Sequence, residues 1–114
     1  MANDFKNAQN VGVTSVATVY TAPTVAVGGA DKTSIILELD IANTSAAAVT
    51  VSAEVVDTSA STDAYIVKDA PVPVGASLQV VSGQKIILEA TDLIRVTASG
   101  TCDVICSVLE DVNS

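Results

Sequence analysis

The 114-residue sequence predicts an all-β fold, an antiparallel β-sandwich or jelly-roll-like domain of about eight short strands. Hydrophobic residues make up 49% of the chain but aromatic residues only 3%, so Val, Ile, Leu and Ala must fill the core. β-Branched side chains favour strands, because they suit a pleated surface and lose rotamer freedom in helices. Several segments alternate apolar and polar residues with a period of two, whereas no segment carries an apolar stripe of helical period long enough for a helix.

The clearest alternation lies in residues 33–42, and residues 49–56 repeat it. The first of these segments would place four aliphatic side chains on its buried face: Ile35, Leu37, Leu39 and Ile41. Between the two segments, Asn43-Thr44-Ser45 has the composition of a turn. The two segments are therefore predicted to form an antiparallel hairpin.

Further segments have strand-like composition: residues 11–20, 64–68, 77–81, 84–89, 93–98 and 101–109. Residues with turn chemistry, chiefly Gly, Pro, Asp and Ser, separate most of them. The separator that contains Pro71 and Pro73 is interpreted as an edge crossover, because proline offers no backbone donor to a passing strand. The alternative is a polyproline-type ligand for an aromatic groove.

The polar, amide-rich N-terminus is predicted to be a flexible arm of residues 1–10 outside the core. The remaining residues, 11–114, have the length of one domain. Phe5 is the only aromatic side chain of the arm. We expect the arm to become ordered on a partner, with Phe5 as an apolar anchor and the amides of Asn7 and Asn10 pairing with backbone groups.

The sequence lacks the residue combinations of common catalytic mechanisms. It contains no histidine, which is the commonest general base and metal ligand. No phosphate-binding glycine loop is present either. Asp57, Asp63 and Asp69 are a candidate calcium cluster, but their spacing matches no known loop, and solvated turn carboxylates are the preferred interpretation. The sequence therefore predicts a binding or building protein, not an enzyme, with no catalytic, cofactor-binding or metal-binding residues.

The two cysteines, Cys102 and Cys106, lie in one predicted strand. In an extended strand this spacing puts them about 13 Å apart, which is too far for a disulfide. They alternate with Asp103 and Ser107, so we expect both thiols to be reduced and to face the core.

The formal net charge of −8 disfavours two classes of partner, because it repels nucleic-acid phosphates and anionic lipid headgroups. The N-terminus lacks an apolar signal core, and no apolar stretch approaches the roughly 20 residues that span a bilayer. We therefore expect synthesis in a cytosol and no nucleic-acid or membrane partner.

Tyr20 and Tyr65 either anchor an interface or close an edge of the sandwich. Together with the arm and the proline segment they give the candidate interface residues: Phe5, Asn7, Asn10, Tyr20, Tyr65, Pro71 and Pro73.

Five sequence segments carry a resemblance to a known family: YTAP at residues 20–23, IANTS at 41–45, YIVKDAPVPVG at 65–75, KIILEATDLIRV at 85–96 and DVICSVLE at 103–110. Their succession resembles small virion structural proteins of tailed bacteriophages. The resemblance runs from about Val11 to Glu110, and its motifs are turns and strand alternations.

The resemblance implies a β-sandwich displayed in many copies on a virus particle. The leading hypothesis is a capsid decoration, or cement, protein that binds and stabilises the head lattice. The alternative is a neck, collar or tail component. A third candidate, a carbohydrate-binding β-sandwich, predicts exposed aromatic side chains, and the chain has only one Phe and two Tyr.

The leading hypothesis also fixes the expected partners and location. The partners would be the major capsid protein or other virion structural proteins, and the chain would form a homo-oligomer, with a trimer favoured. It would be synthesised in the host bacterial cytoplasm and end in the virion.

Overall fold

The computed structural model describes residues 4–23, 33–58 and 60–110. The described residues form eight strands: β1 Asp4–Val13, β2 Val16–Thr21, β3 Ser34–Asn43, β4 Val49–Asp57, β5 Thr62–Val72, β6 Ser77–Leu88, β7 Leu93–Ala98 and β8 Cys102–Glu110. The predicted all-β sandwich is confirmed. Within the described ranges, no helix is long and apolar enough to cross a membrane.

The strands form two four-stranded antiparallel sheets. Sheet A has the order β1-β8-β3-β6, and sheet B has the order β2-β7-β4-β5. Consecutive strands therefore alternate between the sheets, except β4 and β5, which pair within sheet B. Two packed sheets connected in this way form a jelly roll.

The predicted hairpin of residues 33–42 and 49–56 is wrong, because β3 lies in sheet A and β4 in sheet B. Asn43, at the end of β3, fixes the crossover. Its Nδ2 donates hydrogen bonds to the carbonyl oxygens of Ala47 (2.8 Å) and Val72 (2.9 Å), and its Oδ1 accepts one from the amide of Ser45 (2.9 Å). Alternation predicts which face of a strand is buried but does not identify the neighbouring strand.

The buried face predicted for β3 is also only half correct. The register of β3 shifts against both neighbouring strands between Ile36 and Glu38. Ile36, Leu39 and Ile41 are consequently buried, whereas Ile35 and Leu37 are half-buried. A β-bulge inserts one residue and reverses the alternation beyond it, so Ile35 faces outward.

Two further strand boundaries differ from the prediction. Residues 77–81 and 84–89 belong to the single irregular strand β6, which ends at Leu88. Residues 11–20 are divided between β1 and β2. Near the end of β1 the pairing is irregular, and Gly12 adopts φ +71° while its amide donates to Asp103 Oδ1 at 2.9 Å. Glycine suits this left-handed conformation.

The N-terminal arm is the largest correction. Residues 4–10 form most of β1 and pair with β8, from Asp4 opposite Glu110 to Asn10 opposite Val104. The sandwich therefore starts in β1 and not at residue 11, while residues 1–3 lie outside the described residues. A polar segment can join a sheet edge because backbone hydrogen bonds do not depend on side-chain hydrophobicity.

The core lies between the two sheets and consists of aliphatic side chains and the two thiols. Cys102 and Cys106 are both fully buried beside Val104 and Val108, which confirms the predicted core-facing orientation. Burial raises the pKa of Cys106 to about 12 and also raises the pKa of Cys102. Both thiols are therefore small apolar core groups in this fold.

Candidate interaction surface

The outward face of sheet A, named face A here, carries a row of apolar side chains across all four strands. Phe5 pairs with Leu109, Leu109 with Ile35, and Ile35 with Ile87. These four residues are the apolar row. Phe5 is 75% exposed and Ile87 is 56% exposed, whereas the two central members are half-buried. The strand spacing gives the row a length of about 14 Å.

Acidic side chains lie next to the apolar row on face A. Glu38 and Asp40 project from β3, one after the other along the same side of the strand. Opposite Asp40 stand Ile105 on β8, which is 50% exposed, and Gln79 on β6. The face thus combines apolar area with carboxylates at its centre.

Asp40 is the electrostatically unusual group of face A. Its Oδ1 is inaccessible to solvent and has no hydrogen-bond partner among the described residues. Burial, together with a hydrogen bond and repulsion from Glu38, raises the pKa of Asp40 to about 6. A buried carboxylate oxygen without a partner costs stability, so this arrangement is not what folding alone would select.

The outward face of sheet B, named face B here, satisfies its charges internally. Arg95 on β7 donates through Nε to Glu54 Oε1 at 2.7 Å and through Nη2 to Asp63 Oδ2 at 2.9 Å. On the edge strand β5, Lys68 Nζ lies 5.2 Å from the ring centroid of Tyr65. These charged groups already have intramolecular partners.

The predicted interface residues do not form one surface. Phe5 and Asn7 lie on face A, Tyr65 is 54% exposed on face B, and Asn10 is half-buried opposite Val104. Pro71 is exposed on the edge strand β5, which agrees with an edge position for proline. Pro73 is exposed where its carbonyl accepts the Ala76 amide at 3.1 Å.

Tyr20 closes an edge of the sandwich and joins the two sheets. Its half-buried hydroxyl donates to Glu110 Oε2 and lies 3.1 Å from Ser34 Oγ. Burial, with the adjacent Glu110, raises the pKa of Tyr20 far above its ordinary value. Lys6 Nζ lies 3.1 Å from Glu110 Oε1. This polar group is a structural tie between β1, β2, β3 and β8.

The acidic cluster differs from the one that the sequence suggested. The carboxylates of Asp57, Glu89 and Asp92 come within 4.8 Å of one another, while Asp63 pairs with Arg95 and Asp69 bonds to Ser52. Asp92 is only 3% exposed, and its two oxygens accept the amides of Thr58 and Glu89. The cluster is a set of turn contacts between segments that are distant in sequence, which composition could not show.

Sequence comparison found no match for this chain among protein-family models or among curated proteins. Structural comparison found viral chains. A chain in the structure of infectious bursal disease virus strain Gx superposes with a TM-score of 0.53 at 15% identity, over 96% of this chain and 30% of that one. A chain in the crystal structure of the T13 particle of the same virus gives a TM-score of 0.42 at 11% identity, over 97% and 36% of the two chains.

The chain thus spans about a third of the length of these two viral chains. At 15% identity the first match shows a shared fold. The matched virus is an animal virus and not a tailed bacteriophage.

Proposed function

We propose that the chain is a virion structural protein, a jelly roll that acts by binding other proteins of a virus particle and not by catalysis. The observation that carries this proposal is the strand order, β1-β8-β3-β6 packed on β2-β7-β4-β5. Double-sheet jelly rolls of eight strands are characteristic of viral capsid domains. The viral match with a TM-score of 0.53 supports the same assignment.

Within that class, we propose a capsid decoration protein on the head of a tailed bacteriophage, assembled as a homo-oligomer, with a trimer favoured. The phage assignment rests on the resemblance of the segments between residues 20 and 110 to small phage virion proteins. The alternative is a neck, collar or tail component. Symmetry separates the two, because a decoration protein occupies repeated positions of the head lattice, whereas a neck protein forms one ring.

The carbohydrate-binding alternative has a specific weakness. Lectins also use jelly rolls, and sugar rings stack on clustered aromatic side chains. Phe5 and Tyr65, the exposed aromatic residues among the described ones, lie on opposite outward faces of the sandwich. They cannot form one stacking platform.

The proposal is tested by quantitative mass spectrometry of purified particles of the source virus. The expected result is a constant ratio of this chain to the major capsid protein, retained through repeated density-gradient purification. A decoration protein gives a copy number comparable to that of the lattice, and a neck ring gives a much smaller one. Absence of the chain from purified particles would refute the virion assignment.

A further inference from the structure

We propose that face A is the docking surface of the protein and that its partner is a protein surface that combines apolar side chains with a lysine or arginine. The apolar row would pack against the apolar side chains of the partner, and the partner's cation would lie over Glu38 and Asp40. The identification of the partner as a virion protein rests on the function proposed above. The chemistry of the surface is independent of that function.

The apolar row is the first feature of face A that indicates a docking surface. Four consecutive register partners across the sheet are apolar, although each lies on the outward side of its strand. In an antiparallel sheet with one face in solvent, the residues that point to the core are apolar and the outward residues between them are usually polar. A contiguous exposed apolar patch marks an interaction site more often than scattered exposed side chains do.

The carboxylates of face A identify the kind of partner through charge complementarity. Among the side chains that the structure describes, Glu38, Asp40 and Asp103 project carboxylates from face A, and Asp103 is bonded to Gly12. On strand alternation, Lys85 of β6 shares this face, but among the described residues no ion pair joins it to Glu38 or Asp40. An incoming cation would offset the charge of the Asp40 carboxylate, whose Oδ1 has no hydrogen-bond partner among the described residues.

A second copy of the chain is a poorer occupant of face A. Two copies placed face to face would bring their Glu38 and Asp40 side chains together, and like charges in an interface oppose association. The total charge of −8 adds long-range repulsion. A homo-oligomer would therefore use other surfaces and leave face A for a different protein.

The direct test is nuclear magnetic resonance mapping on the isotope-labelled full chain. The probe is a short synthetic peptide of alternating lysine and leucine, with an alternating glutamate and leucine peptide as its counterpart. The lysine peptide is expected to shift the amide signals of β3 and β8 on face A, and the glutamate peptide to leave them unchanged. Signals that move on face B instead, or on neither face, would overturn the proposal.

Matched variants separate a specific surface from general attraction to an acidic protein. Asp40→Asn and Ile87→Ser are each expected to weaken peptide binding at least about tenfold. Asp69→Asn and Tyr65→Ser are the controls on the other sheet, and they should bind as the wild type does. Asp69 has φ 52°, a conformation that Asn also adopts readily. Equal weakening by Asp40→Asn and Asp69→Asn would contradict a defined site.

The occupancy of particles by the wild type and by Ile87→Ser distinguishes a failure of this proposal from a failure of the proposed function. If the wild type is absent from particles, the virion assignment fails, and the peptide mapping alone decides on face A. If the wild type is present but Ile87→Ser occupies particles equally well, face A fails and the virion assignment stands. Ile87→Ser should also leave the oligomeric state unchanged in analytical ultracentrifugation, and dissociation would identify face A as a self-contact.

Discussion

At the scale of single residues, Asp92 shows how a buried carboxylate holds distant segments together. Its side-chain oxygens accept the amides of Thr58 at 3.2 Å and Glu89 at 3.1 Å. Its carbonyl accepts the amide of Ala22 at 2.8 Å. The end of β2, the end of β4 and the turn before β7 therefore meet at this residue.

Replacing this carboxylate should be costly. Asp92→Ala would leave two amides without their acceptor, and we expect the free energy of unfolding to fall by about 2–4 kcal/mol. Asp63→Ala removes a carboxylate from an exposed ion pair, so a loss of at most about 1 kcal/mol is expected. Urea unfolding followed by circular dichroism measures both. Equal stability of the two variants would show that Asp92 is not a structural tie.

Asp40 should make stability depend on pH in an uncommon direction. Its pKa rises from 3.8 to about 6 on folding, so between these values the folded protein binds more protons than the unfolded chain. The stability that Asp40 contributes therefore falls as pH rises from about 4 to about 6 and stays low above that. The groups around it are Glu38 on β3, Ile105 on β8 and Gln79 on β6.

Asp40→Asn is consequently expected to raise the melting temperature at about pH 7.5. The advantage should shrink as pH falls towards about 4, because wild-type Asp40 is then protonated and uncharged in the folded state. Differential scanning fluorimetry over this range provides the measurement. A melting-temperature difference that is constant across the range would show that Asp40 is not the titrating group. Residues of a binding surface often reduce the stability of the isolated fold, and Asp40 would be such a residue if face A docks as proposed.

The two core thiols should be chemically silent in the folded protein. Cys102 and Cys106 are fully buried, and the pKa of Cys106 is raised to about 12, so little thiolate is present at pH 8. A thiol reagent should label neither residue until denaturant is added. Rapid labelling under native conditions would place the thiols outside the core.

At the scale of elements, β1 replaces the arm that composition predicted, and this changes the expected effect of truncation. Deleting residues 1–9 removes most of β1, together with the Lys6–Glu110 ion pair, and leaves β8 as an edge strand. We expect a loss of about 3 kcal/mol or more in unfolding free energy, since several ladder hydrogen bonds disappear. Phe5→Ser is the control, because an exposed side chain contributes little. A truncated protein as stable as the control would show that residues 1–9 do not contribute to the folded sandwich, as the flexible-arm prediction held.

The elements that the sequence predicted well are those with an uninterrupted period of two. β4, β7 and β8 lie within about a residue of the predicted segments, since burial on one face imposes the alternation directly. Strand neighbours were not predictable, because pairing depends on backbone contacts between distant segments. The jelly-roll order therefore emerges only from the structure.

The candidate site was predictable only in part, for a related reason. Composition identified Phe5 and Asn7 as exposed, and both lie on face A. Ile35 was expected in the core, because nothing in the sequence marks the bulge that reverses β3 after Ile36. Ile87 likewise resembles a core residue. The apolar row becomes visible only when the register brings four distant residues together.

At the scale of the whole molecule, the two outward faces of the sandwich differ in how far their charged side chains have partners within the chain. Face B pairs its central Arg95 with two carboxylates, whereas on face A the Oδ1 of Asp40 has no hydrogen-bond partner in the described part of the chain and lies beside exposed apolar side chains. If face A docks as proposed, the difference between the two faces would let the protein attach to a partner through one side without promoting its own aggregation.

The most direct test of this account is a cryo-electron microscopy map of the particle that contains the chain. The map should show the jelly roll attached through sheet A, with Phe5 and Ile87 buried against a neighbouring virion protein and a lysine or arginine of that protein beside Asp40. A map in which face A points to solvent, with the particle contact made by face B or by the strand edges, would contradict the account.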